Sequence, residues 1–228
     1  MDLSLNKMIG DRLQRIANVL LLNASFLDNP GLLNGKMGIA IFFYHYAKFT
    51  GNKIYEDYAG ELIDEIYEEI STSTPVNFEN GLTGIGWGIE YLVKNGFVKA
   101  DTDDALSEID KFVSRSLMSH VLTSENCKDL AGFSFYYPAR LGSRYADDKN
   151  MTVMEIKQHI TFFTGYIKRI FITKEFSDFD FRSLTGNTKI SILWFLLETY
   201  RLCLCSETIE KVLLGISEYV KPILTNSM

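Results

Sequence analysis

The feature that most constrains the fold is a glycine-bearing phrase that recurs along the chain. It reads Gly35-Lys36-Met37-Gly38-Ile39-Ala40 in the first copy and Gly81-Leu82-Thr83-Gly84-Ile85-Gly86-Trp87-Gly88 in the second. Fainter copies contain Gly132 and Gly186, so the equivalent glycines are 46, 48 and 54 residues apart. A period of this length is typical of a supersecondary unit that buries its apolar face against neighbouring copies.

The segments between and within these phrases predict two kinds of helix. Residues 5–23, 53–71, 103–121, 153–171 and 206–224 carry apolar side chains every three or four positions, with polar residues between them. Residues 37–48, 84–94, 133–145 and 190–203 are apolar on nearly every side, which predicts enclosed helices. The sequence therefore predicts one all-α domain over residues 1–228. It contains about four and a half helical hairpins, with amphipathic helices outside and buried helices inside.

The small residues at the start of the inner helices are predicted to have a structural role, in the backbone conformation and in helix packing. Glycine there lets the preceding loop turn sharply and lets neighbouring helices approach closely. An anion-binding loop is disfavoured because the second phrase is not GxGxxG and no strand precedes it. The predicted structural glycines are Gly35, Gly38, Gly81, Gly84, Gly86, Gly88, Gly132 and Gly186.

Composition excludes several classes of function. The net charge is −6, and the basic residues are scattered, which argues against nucleic acid or a membrane as partner. The odd count of three cysteines, Cys127, Cys203 and Cys205, favours a reducing compartment over a disulfide framework. No signal peptide is evident near the N-terminus, so a cytoplasmic protein is expected.

The two glycine phrases, each opening an inner helix, resemble the lanthionine synthetase C-like family. The stretch Phe43-Tyr44-His45-Tyr46-Ala47 and the later Tyr55-Glu56-Asp57-Tyr58-Ala59 are similar to bacterial members of that family. The resemblance is strong over about residues 31–96, and it stays in phase through the two later repeats. It implies an α/α toroid, here incomplete or distorted, with glycine-rich loops at one mouth of a barrel of inner helices.

The resemblance also implies a chemistry: a zinc-assisted addition of a peptide cysteine thiolate to a dehydrated serine or threonine. The family's zinc ligands are a cysteine in a Trp-Cys-Tyr-Gly-like phrase and an adjacent Cys-His pair, and this chain has neither phrase. Cys203 and Cys205 form the nearest pair, without a histidine beside them. His45, His120 and His159 fall in three different repeats, and His120 is expected to be a core histidine. The chain is therefore predicted to lack the metal and to use no cofactor.

Other catalytic arrangements are weaker alternatives. Some toroids hydrolyse glycosides with two carboxylates, and the candidates here are Asp28, Glu79, Glu90, Asp129, Asp178 and Asp180. Each of them is more simply a helix cap or a solvated charge. Ser134, Ser183 and Thr185 have no identifiable base. The aromatic residues from Phe133 to Tyr137 could line a groove for a peptide or a sugar, although core packing is the simpler explanation.

The leading hypothesis is a divergent member of the family that binds a peptide or protein partner in a peptide-modification pathway. The alternative is an active enzyme, either a thioether-forming peptide cyclase or a carbohydrate-active hydrolase, and no catalytic residue is assigned. A monomer is favoured slightly over a homodimer. The residues predicted to lie at the pocket mouth are Asn34, Lys36, Glu79, Asn80, Trp87, Glu90, Asp129, Tyr136 and Arg140.

Overall fold

The computed structural model describes residues 3–119, 127–173 and 184–225, and within these ranges it contains α-helices and no strand. The all-α prediction is therefore confirmed. The helices are α1 (Leu3–Asn23), α2 (Lys36–Thr50), α3 (Lys53–Glu69), α4 (Leu82–Lys94), α5 (Thr102–Ala105), α6 (Ser107–Ser119), α7 (Cys127–Leu141), α8 (Met151–Lys168), α9 (Gly186–Arg201) and α10 (Ser206–Thr225).

The chain divides into two compact units, Met1–Thr102 and Asp103–Met228. In the first unit α2 is the central helix: α3 forms a hairpin with it, and α1 and α4 also pack against it. The apolar centre of this unit is made by buried side chains such as Met37, Phe43, Leu62 and Ile85. The single domain over 1–228 remains a prediction.

Short polar residues begin and end the helices. Gly51 ends α2 with a left-handed φ of 69°, and its N–H donates to the carbonyl of Ala47. Asn52 then caps α3, because its side chain accepts a hydrogen bond from the Ile54 N–H at 3.1 Å. In the second unit Asn150 caps α8 and Thr185 caps α9 in the same way. The caps at Gly51 and Asn52 explain why the chain reverses within a few residues between α2 and α3.

In the second unit α7 packs against both α8 and α9, and α10 packs against α8 and α9. Three buried rings join these helices: Phe163 lies 5.7 Å from Phe133 and 4.9 Å from Phe195, centroid to centroid. Two hairpins therefore share one apolar centre in this unit.

Some expectations about these helices are wrong. The third inner helix runs from Cys127 to Leu141, not over 133–145, so Gly132 lies in its interior and not at its start. Phe43 on the first inner helix is fully buried, whereas Trp194 and Leu197 on α9 are exposed. No described helix is both long and apolar enough to span a bilayer.

Candidate functional site

The two glycine loops that open α2 and α4 have the same backbone hydrogen bonds. In each loop, two N–H groups at the start of the helix donate to the carbonyl oxygens of residues seven positions earlier. These bonds satisfy donors that a helix start otherwise leaves to water or a ligand. The four bonds join Lys36 to Asn29 (2.9 Å), Met37 to Pro30 (3.3 Å), Leu82 to Pro75 (2.8 Å) and Thr83 to Val76 (3.4 Å).

The glycines are required because the same loop lies against the helix start. A Cβ atom at Gly38 would lie 2.2 Å from the carbonyl oxygen of Leu32, six residues earlier. At Gly84 it would lie 2.0 Å from that of Phe78, also six residues earlier. A Cβ atom at Gly35 or Gly81 would likewise lie too close to the carbonyl oxygen six residues earlier, which belongs to Asn29 or to Pro75. The prediction that these glycines serve packing over anion binding agrees with this geometry.

Two of the remaining predicted glycines differ from this pattern. Gly88 touches the neighbouring inner helix, because a Cβ there would lie 2.6 Å from Sδ of Met37. A Cβ at Gly186 would meet no atom within 4 Å, so close packing does not explain that glycine. Gly86 is buried within α4 and Gly132 within α7. The fainter repeats therefore do not reproduce the loop geometry of the first two.

The two loops are also joined to each other. The Leu33 N–H donates to the carbonyl of Glu79 at 2.8 Å, and the Asn29 side chain donates to Oδ1 of Asn80 at 2.9 Å. An open cavity of about 530 Å³ lies beside this junction, lined partly by Asn29, Asn80 and Glu69. Asn34 is exposed at the same junction, and its carbonyl accepts a hydrogen bond from Asn29 at 3.2 Å. The structure thus brings Asn34, Glu79 and Asn80 together at this junction, and their role at a pocket mouth stays a prediction.

Lys36 lies in a different environment from that cluster. Its side chain is buried, and its Nζ binds Glu65 at 2.7 Å and Glu69 at 2.5 Å on α3. Burial acts to lower the pKa of Lys36, but the hydrogen bonds and charges of the two carboxylates outweigh it, so the pKa is raised. Lys36 therefore ties the start of α2 to α3 and is not a free cation at a pocket mouth.

A row of aromatic rings crosses α4 in the first unit. Trp87 stacks on Tyr91 with centroids 5.3 Å apart, and Phe78 from the preceding loop meets Trp87 edge-on at 5.9 Å. His45 of α2 bonds the Tyr91 hydroxyl through Nε2 at 2.8 Å, and its ring lies 4.6 Å from Phe97. We call these five residues the aromatic row. Its members are exposed or half-buried, never fully buried.

Sequence reasoning found only Trp87 of this row, although the repeat contained a signal for more. The step of 46 residues that relates Gly38 to Gly84 also relates His45 to Tyr91. The two hydrogen-bonded side chains therefore occupy equivalent positions on neighbouring inner helices. Glu90 is half-buried on α4 beside Tyr91 in sequence.

In the second unit a buried cation organises a network of polar side chains. Arg140 is fully buried, and its guanidinium contacts both carboxylate oxygens of Asp110, with the shortest distance 2.6 Å. The Tyr136 hydroxyl donates to the same carboxylate at 2.6 Å. Asp103 contacts Arg140 at 3.3 Å and Arg144 at 2.6 Å. Tyr136 and Arg140 thus belong to the core of this unit and do not line a groove.

The other aromatic residues of α7 are divided between core and surface. Phe133 and Tyr137 are buried, whereas Phe135 is half-buried and lies 5.2 Å from the ring of Trp194. The ring of His159 lies 5.5 Å from that of Tyr137, and burial lowers the pKa of His159 against the opposing charges of Glu155 and Asp110. Core packing, the simpler explanation, therefore accounts for most of this segment.

The Asp103 interactions predict a pH dependence of stability. Burial raises the pKa of Asp103, but hydrogen bonds from Arg144 and Asn150 and the charges of Arg144 and Arg140 outweigh it, so the pKa is lowered from 3.8. A depressed carboxyl pKa stabilises the fold above the unfolded-state value, and this contribution is lost as pH falls through the folded-state value. In thermal melts between about pH 2 and 7, the wild type should be more stable than Asp103→Asn, and the difference should shrink below the unfolded-state pKa. A difference that is the same at every pH would contradict this explanation.

The other candidate residues that the structure describes are half-buried, exposed or engaged in helix-capping and backbone hydrogen bonds. Asp129 is half-buried in the first turn of α7, and burial raises its pKa. Ser134 donates to the carbonyl of Leu130 at 2.7 Å, and Thr185 is a helix cap, so both hydroxyls have structural roles. Asp28 is exposed beside the loop junction. His120, Asp178, Asp180 and Ser183, and the side chain of Cys127, lie outside the described residues.

The cysteines that the structure describes do not fit the zinc site of the family. Cys203 and Cys205 follow α9, both with a left-handed φ of 55°, and both thiols are free. The Cys205 thiol lies 3.6 Å from Oγ1 of Thr161, which is no zinc ligand of the family. Among the described side chains no three His, Cys, Asp or Glu residues are grouped so that they could hold a metal. We therefore derive no zinc-dependent step.

Helical hairpins with folded-back glycine loops define an all-α repeat protein of the α/α type. Residues 27–133 match the family model described as lanthionine synthetase C-like protein. Over this segment the chain is similar to the lanthionine synthetase C-like family, whose fold is an α/α toroid. No curated protein gave a significant match to the chain.

Proposed function

We propose that this chain is a divergent lanthionine synthetase C-like protein that binds a peptide or protein partner without the zinc site of the family. The pathway to which it belongs would be one of peptide modification, by analogy with the family. The observation that supports binding is the aromatic row on α2 and α4. The observation that supports divergence is the absence of the Trp-Cys-Tyr-Gly-like phrase and of the Cys-His pair from the sequence.

The aromatic row has the properties of a peptide-binding surface. Trp87 and Tyr91 are half-buried, so each ring is held by the protein on one side and accessible on another. Their stacked arrangement and the His45–Tyr91 hydrogen bond limit the freedom of the rings before binding. Rigid aromatic side chains with polar tips lose little entropy on binding and dominate the energetics of many interfaces.

The row also offers groups that a peptide backbone can use. The Tyr91 hydroxyl and the exposed imidazole of His45 lie at 2.8 Å from each other, so a bound peptide could bond either group. A peptide amide or carbonyl can hydrogen-bond to the imidazole ring in either neutral tautomer. Partners of this kind would be recognised by aromatic stacking and a few hydrogen bonds.

Replacing Trp87 with Ala should weaken peptide binding about tenfold or more, because a central aromatic anchor typically contributes that much. Random twelve-residue peptides would be selected on the immobilised wild type, resynthesised, and measured by fluorescence anisotropy. Phe162→Ala is the matched control, since Phe162 is a 41% exposed aromatic residue on α8 outside the row. Circular dichroism would verify that each variant is folded.

Failure to enrich any peptide would contradict the proposed function. Enriched peptides that bind wild type and Trp87→Ala equally would contradict the assignment of the aromatic row. A Tyr91→Phe variant separates stacking from hydrogen bonding, because it keeps the ring and removes the hydroxyl. We expect a smaller loss for Tyr91→Phe than for Trp87→Ala.

A further inference from the structure

The helix α1 has a second apolar face that the rest of its unit leaves uncovered. Along this outer side, residues at every third or fourth position form one line, which continues into the turn after the helix. We call this line the outer seam; it consists of Met8, Arg12, Arg15, Val19, Leu22 and Phe26. Leu22 is 72% exposed and Phe26 is 82% exposed, and Met8 and Val19 are exposed as well.

The spacing of the outer seam is that of a helix–helix contact. Successive members are separated by 4, 3, 4, 3 and 4 residues, which is the a/d repeat of paired helices. The opposite side of α1 is already used: Ala17 is fully buried there. In addition, Gln14 accepts a hydrogen bond from the Tyr46 hydroxyl of α2 at 2.8 Å. Since α1 is fixed by this inner contact, the outer seam stays directed away from α2.

The charges in the seam restrict what can cover it. Arg12 and Arg15 lie at its centre, both exposed, and neither has an ion-pair partner among the described residues. Apolar residues lie on both sides of them, Met8 towards the start and Val19, Leu22 and Phe26 towards the end. A complementary surface therefore needs apolar ends and carboxylates at its centre.

Two other occupants fit these charges less well. A second copy that paired α1 with α1 in antiparallel fashion would bring the central arginines of both copies together, and like charges at close range are unfavourable. An anionic lipid surface would attract the arginines, but α3 of the same unit exposes the acidic residues Asp57, Glu61, Asp64 and Glu68. Helix α3 is close by, since the Gln14 side chain reaches the Tyr55 hydroxyl at 3.4 Å.

We propose that the outer seam of α1 docks an amphipathic helix of a partner protein, whose contacting face has apolar residues at both ends and Asp or Glu at its centre. The apolar residues supply most of the affinity through burial of exposed side chains. The arginines select the acidic partner and set its register, because a shifted helix would place apolar side chains against the guanidinium groups. This site is separate from the aromatic row.

The probe is a synthetic 21-residue helical peptide with Leu at the outer contact positions and Glu at the two central ones. A matched peptide carries Lys in place of both Glu. Binding of the labelled peptides to the full chain is measured by fluorescence anisotropy at low and high salt. We expect the Glu peptide to bind at least about tenfold more tightly than the Lys peptide, and we expect this preference to decrease with salt.

The double variant Arg12→Glu with Arg15→Glu should reverse this preference, so that the Lys peptide binds more tightly. Lys99→Glu, a charge reversal at an exposed residue outside the seam, should change neither affinity. Leu22→Ser should weaken both peptides without changing their order, because it removes apolar contact and leaves the charges. All these positions are exposed, so circular dichroism should show an unchanged helix content.

Four results would overturn the proposal. The first is equal affinity for the two peptides, and the second is an unchanged preference in the double variant. The third is a wild-type dimer in light scattering that Leu22→Ser converts to monomer, which would assign the seam to a second copy. Binding to phosphatidylserine vesicles without binding to the Glu peptide would also reject it. Trp87→Ala should leave the peptide preference intact, so failure here is distinguishable from failure of the proposed function.

Discussion

Replacing Asp110 with Ala is expected to lower the free energy of unfolding by about 3–5 kcal/mol, because it leaves Arg140 as an uncompensated buried charge. Arg140 is 0% exposed, and the Asp110 carboxylate accepts hydrogen bonds from its Nε and Nη2 atoms and from the Tyr136 hydroxyl. Asp103 contacts the same guanidinium at 3.3 Å and can replace only part of this interaction. Denaturant unfolding of the wild type and the variant measures the difference.

Glu108→Ala is the matched control for this substitution. Glu108 belongs to the same helix, α6, and forms an ion pair with Lys111 at 2.5 Å in which both side chains are largely exposed. Exposed pairs contribute about 0–1 kcal/mol, so this variant should remain close to wild type. Equal effects of the two substitutions would show that the buried network does not stabilise the second unit.

Replacing Gly84 with Ala is expected to lower the free energy of unfolding by about 2–3 kcal/mol through overpacking and backbone displacement. The added Cβ would lie 2.0 Å from the carbonyl oxygen of Phe78 and 3.0 Å from Cβ of Leu32. A carbonyl oxygen in the preceding loop cannot move away without loosening the bonds from Leu82 to Pro75 and from Thr83 to Val76. The melting temperature should fall accordingly.

Gly165→Ala provides the comparison for Gly84→Ala. Gly165 lies inside α8, and a Cβ there would meet no atom within 4 Å. Alanine is the better helix former by about 0.5–1 kcal/mol, so this variant should be slightly more stable than wild type. If both alanine variants melted at the wild-type temperature, the close approach of the loop would have no energetic importance.

The helical repeat could be predicted well where sequence pattern and packing agree. The glycine phrases placed the starts of α2 and α4 correctly, because each phrase contains the residues that the folded-back loop requires. The turn at Gly51 and Asn52 could also be predicted, because glycine commonly ends a helix and asparagine commonly caps the start of the next one. The third repeat was less readable, because Gly132 is tolerated inside α7 and gave a false helix start.

The candidate site was predicted less well because the sequence does not state which side chains face one another. Lys36 follows a loop glycine and looked accessible, but two carboxylates of α3 at positions 65 and 69 hold it in a buried ion pair. Arg140 likewise looked like a groove residue until its contacts with Asp110 and Asp103 placed it in the core. Such pairings join residues about thirty positions apart, and no local sequence pattern predicts them.

The most direct test of the central claim is to measure peptide binding and zinc content on one sample purified without chelator. Elemental analysis gives the zinc per chain, and calorimetry with a selected peptide gives the dissociation constant before and after EDTA treatment. We predict no stoichiometric zinc and the same dissociation constant with and without EDTA, with binding weakened by Trp87→Ala. About one zinc per chain that is lost in Cys203→Ser or Cys205→Ser, together with binding that EDTA abolishes, would contradict the account.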